Sequence, residues 1–126
     1  MFSRMLYNRI LIIAGVFFLL GSCTHNPDLE SIRDISFSSD IQPIIAGNCT
    51  QSGCHNDQGD SEFSLITYDD VINNGEVRAG NANGSKLYKA ISNHSDKIMP
   101  PPPSLELSSD QIKLVYIWIE QGAKNN

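Results

Sequence analysis

An all-α domain of three to four short helices is the fold class this sequence predicts, and three observations predict it. Capping signatures, in which Ser or Thr precedes Gln or Asp by three residues, recur ahead of short apolar stripes. Within those stripes the apolar residues fall at i, i+3 and i+4. No stretch shows the period-two alternation of a half-buried strand.

Taken in order, the first helix is expected from about Asp40 to Gly47. Ser39 and Gln42 read as a capping box, and Pro43 sits in the first turn, where a missing N–H is tolerated. Ile41, Ile44 and Ile45 form one apolar face, and Gly47-Asn48 closes the helix. Residues 56–64 read as polar loop. A second short helix runs from Thr67 to about Asn73, with Asp70 answering Thr67 and Asn73-Asn74-Gly75 as its stop. Gly80 to Gly84 is loop. Ser85 then caps a third helix, with Leu87, Tyr88 and Ile91 on one side.

Pro100 to Pro103 can be neither helix nor central strand and predict a stiff, extended loop. Ser108 and Gln111 open the last helix, and Gly122 lies just past its end. Ile112, Val115, Tyr116 and Ile119 form its stripe. Leu114, Ile117 and Trp118 widen that stripe nearly all round, which predicts burial on more than one side and packing on the first helix.

The N-terminus carries different information. Arg4 and Arg9 precede an apolar run from Ile10 to Leu20, too short to span a bilayer comfortably. It reads as a secretory signal. Leu20-Gly21-Ser22-Cys23 resembles the bacterial lipobox, which implies cleavage before Cys23 and a lipid on that thiol. The expected organisation is a lipoprotein signal peptide over residues 1–22, a flexible polar tether over 23–36, and one domain over 37–124. Without Arg4 and Arg9, seven basic residues face fourteen acidic ones. Such an acidic balance argues against a nucleic-acid partner.

Chemistry concentrates in Cys49-Thr50-Gln51-Ser52-Gly53-Cys54-His55 and in Met99-Pro100-Pro101. Two thiols followed at once by a histidine is the arrangement that attaches a c-type haem: the thiols form thioethers and the histidine sits under the iron. The usual run has two residues between the cysteines, and here there are four. Of three cysteines, Cys23 is accounted for at the N-terminus, which leaves one pair for one haem. Met99 is the only methionine outside the signal segment, and its thioether is a sixth-ligand candidate that favours a high potential and electron transfer.

Other readings of these residues stay open. Cys49 and Cys54 could form a local disulfide in an exported protein. A zinc site could use both cysteines and His55, with His94 as a fourth ligand, although adjacent ligands are a spacing that structural zinc sites seldom use. His94 is also the rival distal ligand to Met99. His25 lies in the tether. Arg78 could pair with a haem propionate. Ile44, Leu65, Leu87, Ile91, Ile98, Leu107 and Trp118 are candidates for the wall of a haem pocket and equally for ordinary core.

Five segments occur in the order seen in small class I-like cytochrome c domains, most similar to the planctomycete and Bacteroidetes types: Phe37 to Ile45, the cysteine pair with His55, Ser85 to Tyr88, Met99-Pro100-Pro101, and Trp118 to Ala123. The resemblance implies a cytochrome c-like fold around one covalent haem c, with His55 proximal and Met99 distal. It implies a single-electron carrier with no substrate of its own. It also implies redox proteins as donor and acceptor, and a place on the periplasmic face of a bacterial membrane or at the cell surface, held by the lipid on Cys23. The alternatives are a haem enzyme or sensor with a labile Met99, one subunit of a larger redox complex, or a haem-free lipoprotein with a Cys49–Cys54 disulfide.

Overall fold

A computed structural model describes residues 31–58 and 61–126. The signal segment, Cys23, His25 and most of the tether lie outside the described residues, and so do the expectations placed on them. The described residues are helical and contain no strand. A π-helical turn at Phe37–Ile41 runs directly into α1, Gln42–Asn48. Next come α2, Tyr68–Asn74; a 3-10 turn, Ala82–Gly84; α3, Lys86–Ile91; and α4, Ser109–Glu120.

The first helical segment starts earlier than expected, and its cap is Ser36 rather than Ser39. Ser36 Oγ accepts from Ser39 N, and the Asp40 carboxylate reaches back to Ser36 N at 2.8 Å. Arg33 holds that carboxylate through two bonds of 2.8 and 2.7 Å. The reciprocal logic of a capping box operates here, but displaced by three residues, because Asp40 carries a charge that Arg33 pairs and Gln42 carries none. The stripe itself is as expected: Ile41, Ile44 and Ile45 are all buried.

The packed unit also reaches further toward the N-terminus than Phe37. Ile35 is buried, and its N–H donates to Gln121 Oε1 at 2.8 Å. Asn126 answers from the other end, where its backbone oxygen accepts from Ser38 N at 2.9 Å and its side-chain oxygen from Phe37 N at 2.9 Å.

The second and last helices obey their sequence signals. Thr67 with Asp70, and Ser108 with Gln111, form complete capping boxes. Past α4, Ala123 N donates to Trp118 O at 2.8 Å and Gly122 N to Ile119 O at 3.0 Å, with Gly122 at φ +101°. This pair of bonds is a Schellman closure, which needs a left-handed residue and so favours glycine.

Ser85 differs. Its hydroxyl does not cap α3. It is fully buried, accepts from Arg78 N at 2.8 Å and donates to Asn81 O at 2.9 Å. Without it Arg78 N would lose its partner and Asn81 O would keep only Gly84 N, and that need outcompetes the helix end.

The core gathers on the terminal helix. Val115, Trp118 and Ile119 are completely buried. Trp118 lies 5.7 Å from Phe37 of the π-helical turn, and Tyr68 of α2 stands edge-on to Phe37 at 5.1 Å. The polar ends of these rings are satisfied: Trp118 Nε1 donates to Lys124 O at 3.0 Å and Tyr68 OH to Ala123 O at 2.7 Å. Every buried side-chain nitrogen and oxygen among the described residues has a partner, which is what a small core requires.

Candidate haem-binding site

The site begins at the C-terminal end of α1, whose last carbonyls have no helical partners. Asn48, the last residue of α1, and side chains of the cysteine segment supply donors. Asn48 Nδ2 donates to Ile44 O at 2.7 Å, Thr50 Oγ1 to Ala46 O at 3.2 Å, and Gln51 Nε2 to Ala46 O and Gly47 O at 3.1 and 3.2 Å. The first residues between the cysteines thus finish the helix.

The remainder turns back. Gly53 takes φ +81°, which few other residues adopt. Cys54 N donates to Gln51 O, and His55 N to Cys49 O, both at 2.9 Å. The second bond draws the segment into a closed loop and brings both cysteines and the histidine to one place. Asn56 Nδ2 braces it from behind through Thr50 O and Gln51 O.

His55 is oriented by Phe63, eight residues further along the chain. Its Nδ1 lies 3.1 Å from Phe63 O, and its ring stacks on Phe63 with centroids 4.4 Å apart. A carbonyl only accepts, so Nδ1 carries the proton and Nε2 presents a lone pair. A histidine that ligates a metal is commonly held this way, through its other nitrogen. Leu65 N donates to His55 O at 2.8 Å and fixes the backbone on the far side.

A cavity of about 610 Å³ opens against this segment. Two stretches of chain line it: Gly47, Asn48, Cys49, Gln51, Gly53, Cys54, His55 and Ser61, and Met99, Pro100, Pro101, Ser104 and Leu105. The volume is in the range of sites for a cofactor-sized ligand, about 300–1,000 Å³. Met99 is placed by its own N–H, which donates to Ala90 O of α3 at 3.0 Å. Ser104 N closes a turn on Pro101 O at 3.0 Å. The Met99–Pro100 and Pro102–Pro103 peptides are cis.

Cys49, Cys54, His55 and Met99 therefore all line one cavity. Both cysteines are free thiols, each half-buried. Burial, with a smaller contribution from the Cys54 thiol, pushes the Cys49 thiol up to about 11, so it stays protonated at neutral pH. His94 is elsewhere: it is exposed, does not line the cavity, and has its Nδ1 3.0 Å from Ser92 Oγ. Among the described residues no three His, Cys, Asp or Glu side chains converge to hold a metal ion, which leaves the zinc reading without a donor set. Arg78 is exposed and away from the cavity lining.

None of the seven apolar wall candidates lines the cavity. Ile44, Leu65, Leu87, Ile91, Leu107 and Trp118 form the core, and Ile98 is partly exposed. In a domain this small those side chains are needed to hold the helices together, and the cavity is left to the loops. Nor does α4 reach the cavity: it packs on Phe37 of the π-helical turn. Sequence reasoning missed Ser61, Phe63 and Leu105. Phe63 acts on His55 through its ring and its backbone carbonyl; the carbonyl leaves no signature in residue type, whereas the aromatic ring in an otherwise polar segment was the one available signal.

Donor chemistry and cavity together fit a covalently held haem. Two thiols, an imidazole nitrogen with its lone pair free, and a thioether are its attachment and axial groups, and the architecture that presents them is an all-α, cytochrome c-like one. Residues 49–103 match the family model described as Planctomycete cytochrome C, a span that opens at Cys49 and closes within the proline loop. No curated protein and no solved structure matches the chain. The similarity supports a c-type cytochrome domain with covalent haem c, of a family that suits an electron carrier better than an enzyme.

Proposed function

We propose that this chain is a monohaem c-type cytochrome that passes single electrons between redox proteins on the exported side of a bacterial membrane, anchored by a lipid on Cys23. The observation that carries the reading is the convergence of Cys49, Cys54, His55 and Met99 on one cavity. When bound there, the haem supplies an iron that takes up or releases one electron.

In this reading Cys49 and Cys54 hold the group through thioethers. His55 Nε2, oriented by the Phe63 carbonyl, and the Met99 thioether, positioned by its bond to Ala90 O, would hold the iron. With both donors engaged the iron would have no place for a substrate. Pro100, Pro101 and Leu105 line the cavity, and apolar surroundings favour a higher potential. The secretory signal supports export, where covalent haem attachment takes place in bacteria, and the acidic surface suits a basic partner.

The test is the optical spectrum of the exported protein, oxidised and reduced, with a pyridine haemochrome and Met99→Ala alongside. The expected result is one covalent c-type haem per chain, with a far-red sulfur-to-iron band that Met99→Ala abolishes. Haem without that band would overturn Met99 as ligand. Protein without haem, from a host able to mature c-type haem, would overturn the cytochrome. Release of a Cys23→Ser variant from the membrane fraction would be the expected sign of the lipid anchor; retention would refute it.

A further inference from the structure

Ser61 stands in a position that the attachment motif does not explain. Its hydroxyl lies 2.8 Å from Phe63 O and 3.0 Å from Cys54 O. One hydroxyl proton can serve only one of them, and the shorter contact is to Phe63. That carbonyl is also the acceptor for His55 Nδ1, at 3.1 Å. Two donors, a side-chain hydroxyl and the imidazole, therefore share a single oxygen, and Ser61 itself lines the cavity.

The electronic consequence is a matter of elementary hydrogen bonding. The more strongly a carbonyl accepts the Nδ1 proton, the more electron-rich the imidazole becomes at Nε2. An electron-rich ligand stabilises the oxidised iron and lowers the potential. A second donor on the same oxygen draws density from it and weakens its pull on Nδ1–H. The Ser61 hydroxyl thus acts against the Phe63 carbonyl.

We propose that Ser61 is a positioning residue that raises the reduction potential of the bound haem by competing with His55 for the Phe63 carbonyl. The proposal rests on the haem reading given above. It goes beyond it in assigning a role to a residue outside the attachment and ligand set.

The experiment is potentiometric titration of the haem-loaded wild type, Ser61→Ala and Ser61→Thr, each with haem content measured by pyridine haemochrome. Ser61→Ala is expected to titrate at a lower midpoint than wild type at equal haem content. Ser61→Thr, which keeps the hydroxyl, is expected to return to the wild-type midpoint. Should Ser61→Ala not load haem, Ser61→Cys replaces the hydroxyl with a weak S–H donor and is expected to shift the midpoint down by a smaller amount. An unchanged or raised midpoint in Ser61→Ala, or in Ser61→Cys if that variant carries the test, overturns the proposal while leaving the cytochrome intact. Wild-type protein that carries no haem overturns the underlying reading instead.

Discussion

Replacing Asp40 by Asn tests how the segment leading to Cys49 is held. The Asp40 carboxylate takes two bonds from Arg33 and one from Ser36 N. These lower it from 3.8 to about 2, with the Arg33 hydrogen bond the largest cause and the Ser36 backbone N–H next. At about 1.4 kcal/mol per pH unit the displacement corresponds to roughly 2 kcal/mol. The Arg33 side chain is 63 % exposed while Asp40 is 15 % exposed, so water and salt screen the pair, and about 1 kcal/mol is the figure to expect. Asn keeps one oxygen for Ser36 N and Arg33 Nη1, and removes the charge together with the second oxygen, which accepts from Arg33 Nη2. Because the folded-state value is depressed, the stabilisation is complete above the unfolded carboxyl value near 3.8 and is lost as pH falls toward 2. Urea unfolding of the haem-loaded proteins, monitored by helical circular dichroism, is the assay. Asp40→Asn should be about 1 kcal/mol less stable at about pH 6, and the two proteins should converge as the pH approaches 2. About 1 M salt should also narrow the gap, since the Debye length is then about 3 Å. Equal stability at neutral pH, or a gap that persists unchanged into acid, would refute the assignment.

Two further substitutions probe hydrogen bonds elsewhere in the fold. Ser85→Ala should cost about 1–3 kcal/mol in unfolding free energy, because Arg78 N would lose its partner and Asn81 O would keep only Gly84 N; a loss of only a few tenths would mean water takes the hydroxyl's place. Tyr68→Phe should cost about 1 kcal/mol, the net value of the bond to Ala123 O, with the ring packing on Phe37 retained. A urea midpoint identical to wild type would show that this bond contributes nothing.

What could be read from the sequence depended on the range over which each signal acts. Thr67 with Asp70, Ser108 with Gln111, and Gly122 name their own partners within a few residues, and those caps stand where the pattern placed them. Cys49, Cys54 and His55 carry their chemistry in their spacing, and Met99 in its scarcity; the structure brings all four to one cavity. Ser36 and Ser85 were illegible for the opposite reason. Which serine caps the first helix depends on Arg33 and Asp40 pairing across a turn, and the task of Ser85 depends on loop groups seven and four residues upstream. The wall of the cavity was hidden as well. Apolar residue type marks burial alike in core and in pocket, and only the packing of Trp118 on Phe37 shows which apolar residues the core has claimed.

The bond from His55 N to Cys49 O works as a clasp. It sets where the histidine stands relative to the first thiol, whatever path the residues between them take. Thr50 and Gln51 are occupied with the end of α1 and Gly53 with the reversal, so the extra length is folded into a loop beside the clasp instead of stretching it. The number of residues separating the two thiols is therefore a poor ruler for the distance that matters chemically, and a recognition rule written in residue counts would pass over a site whose fastening is made by the backbone.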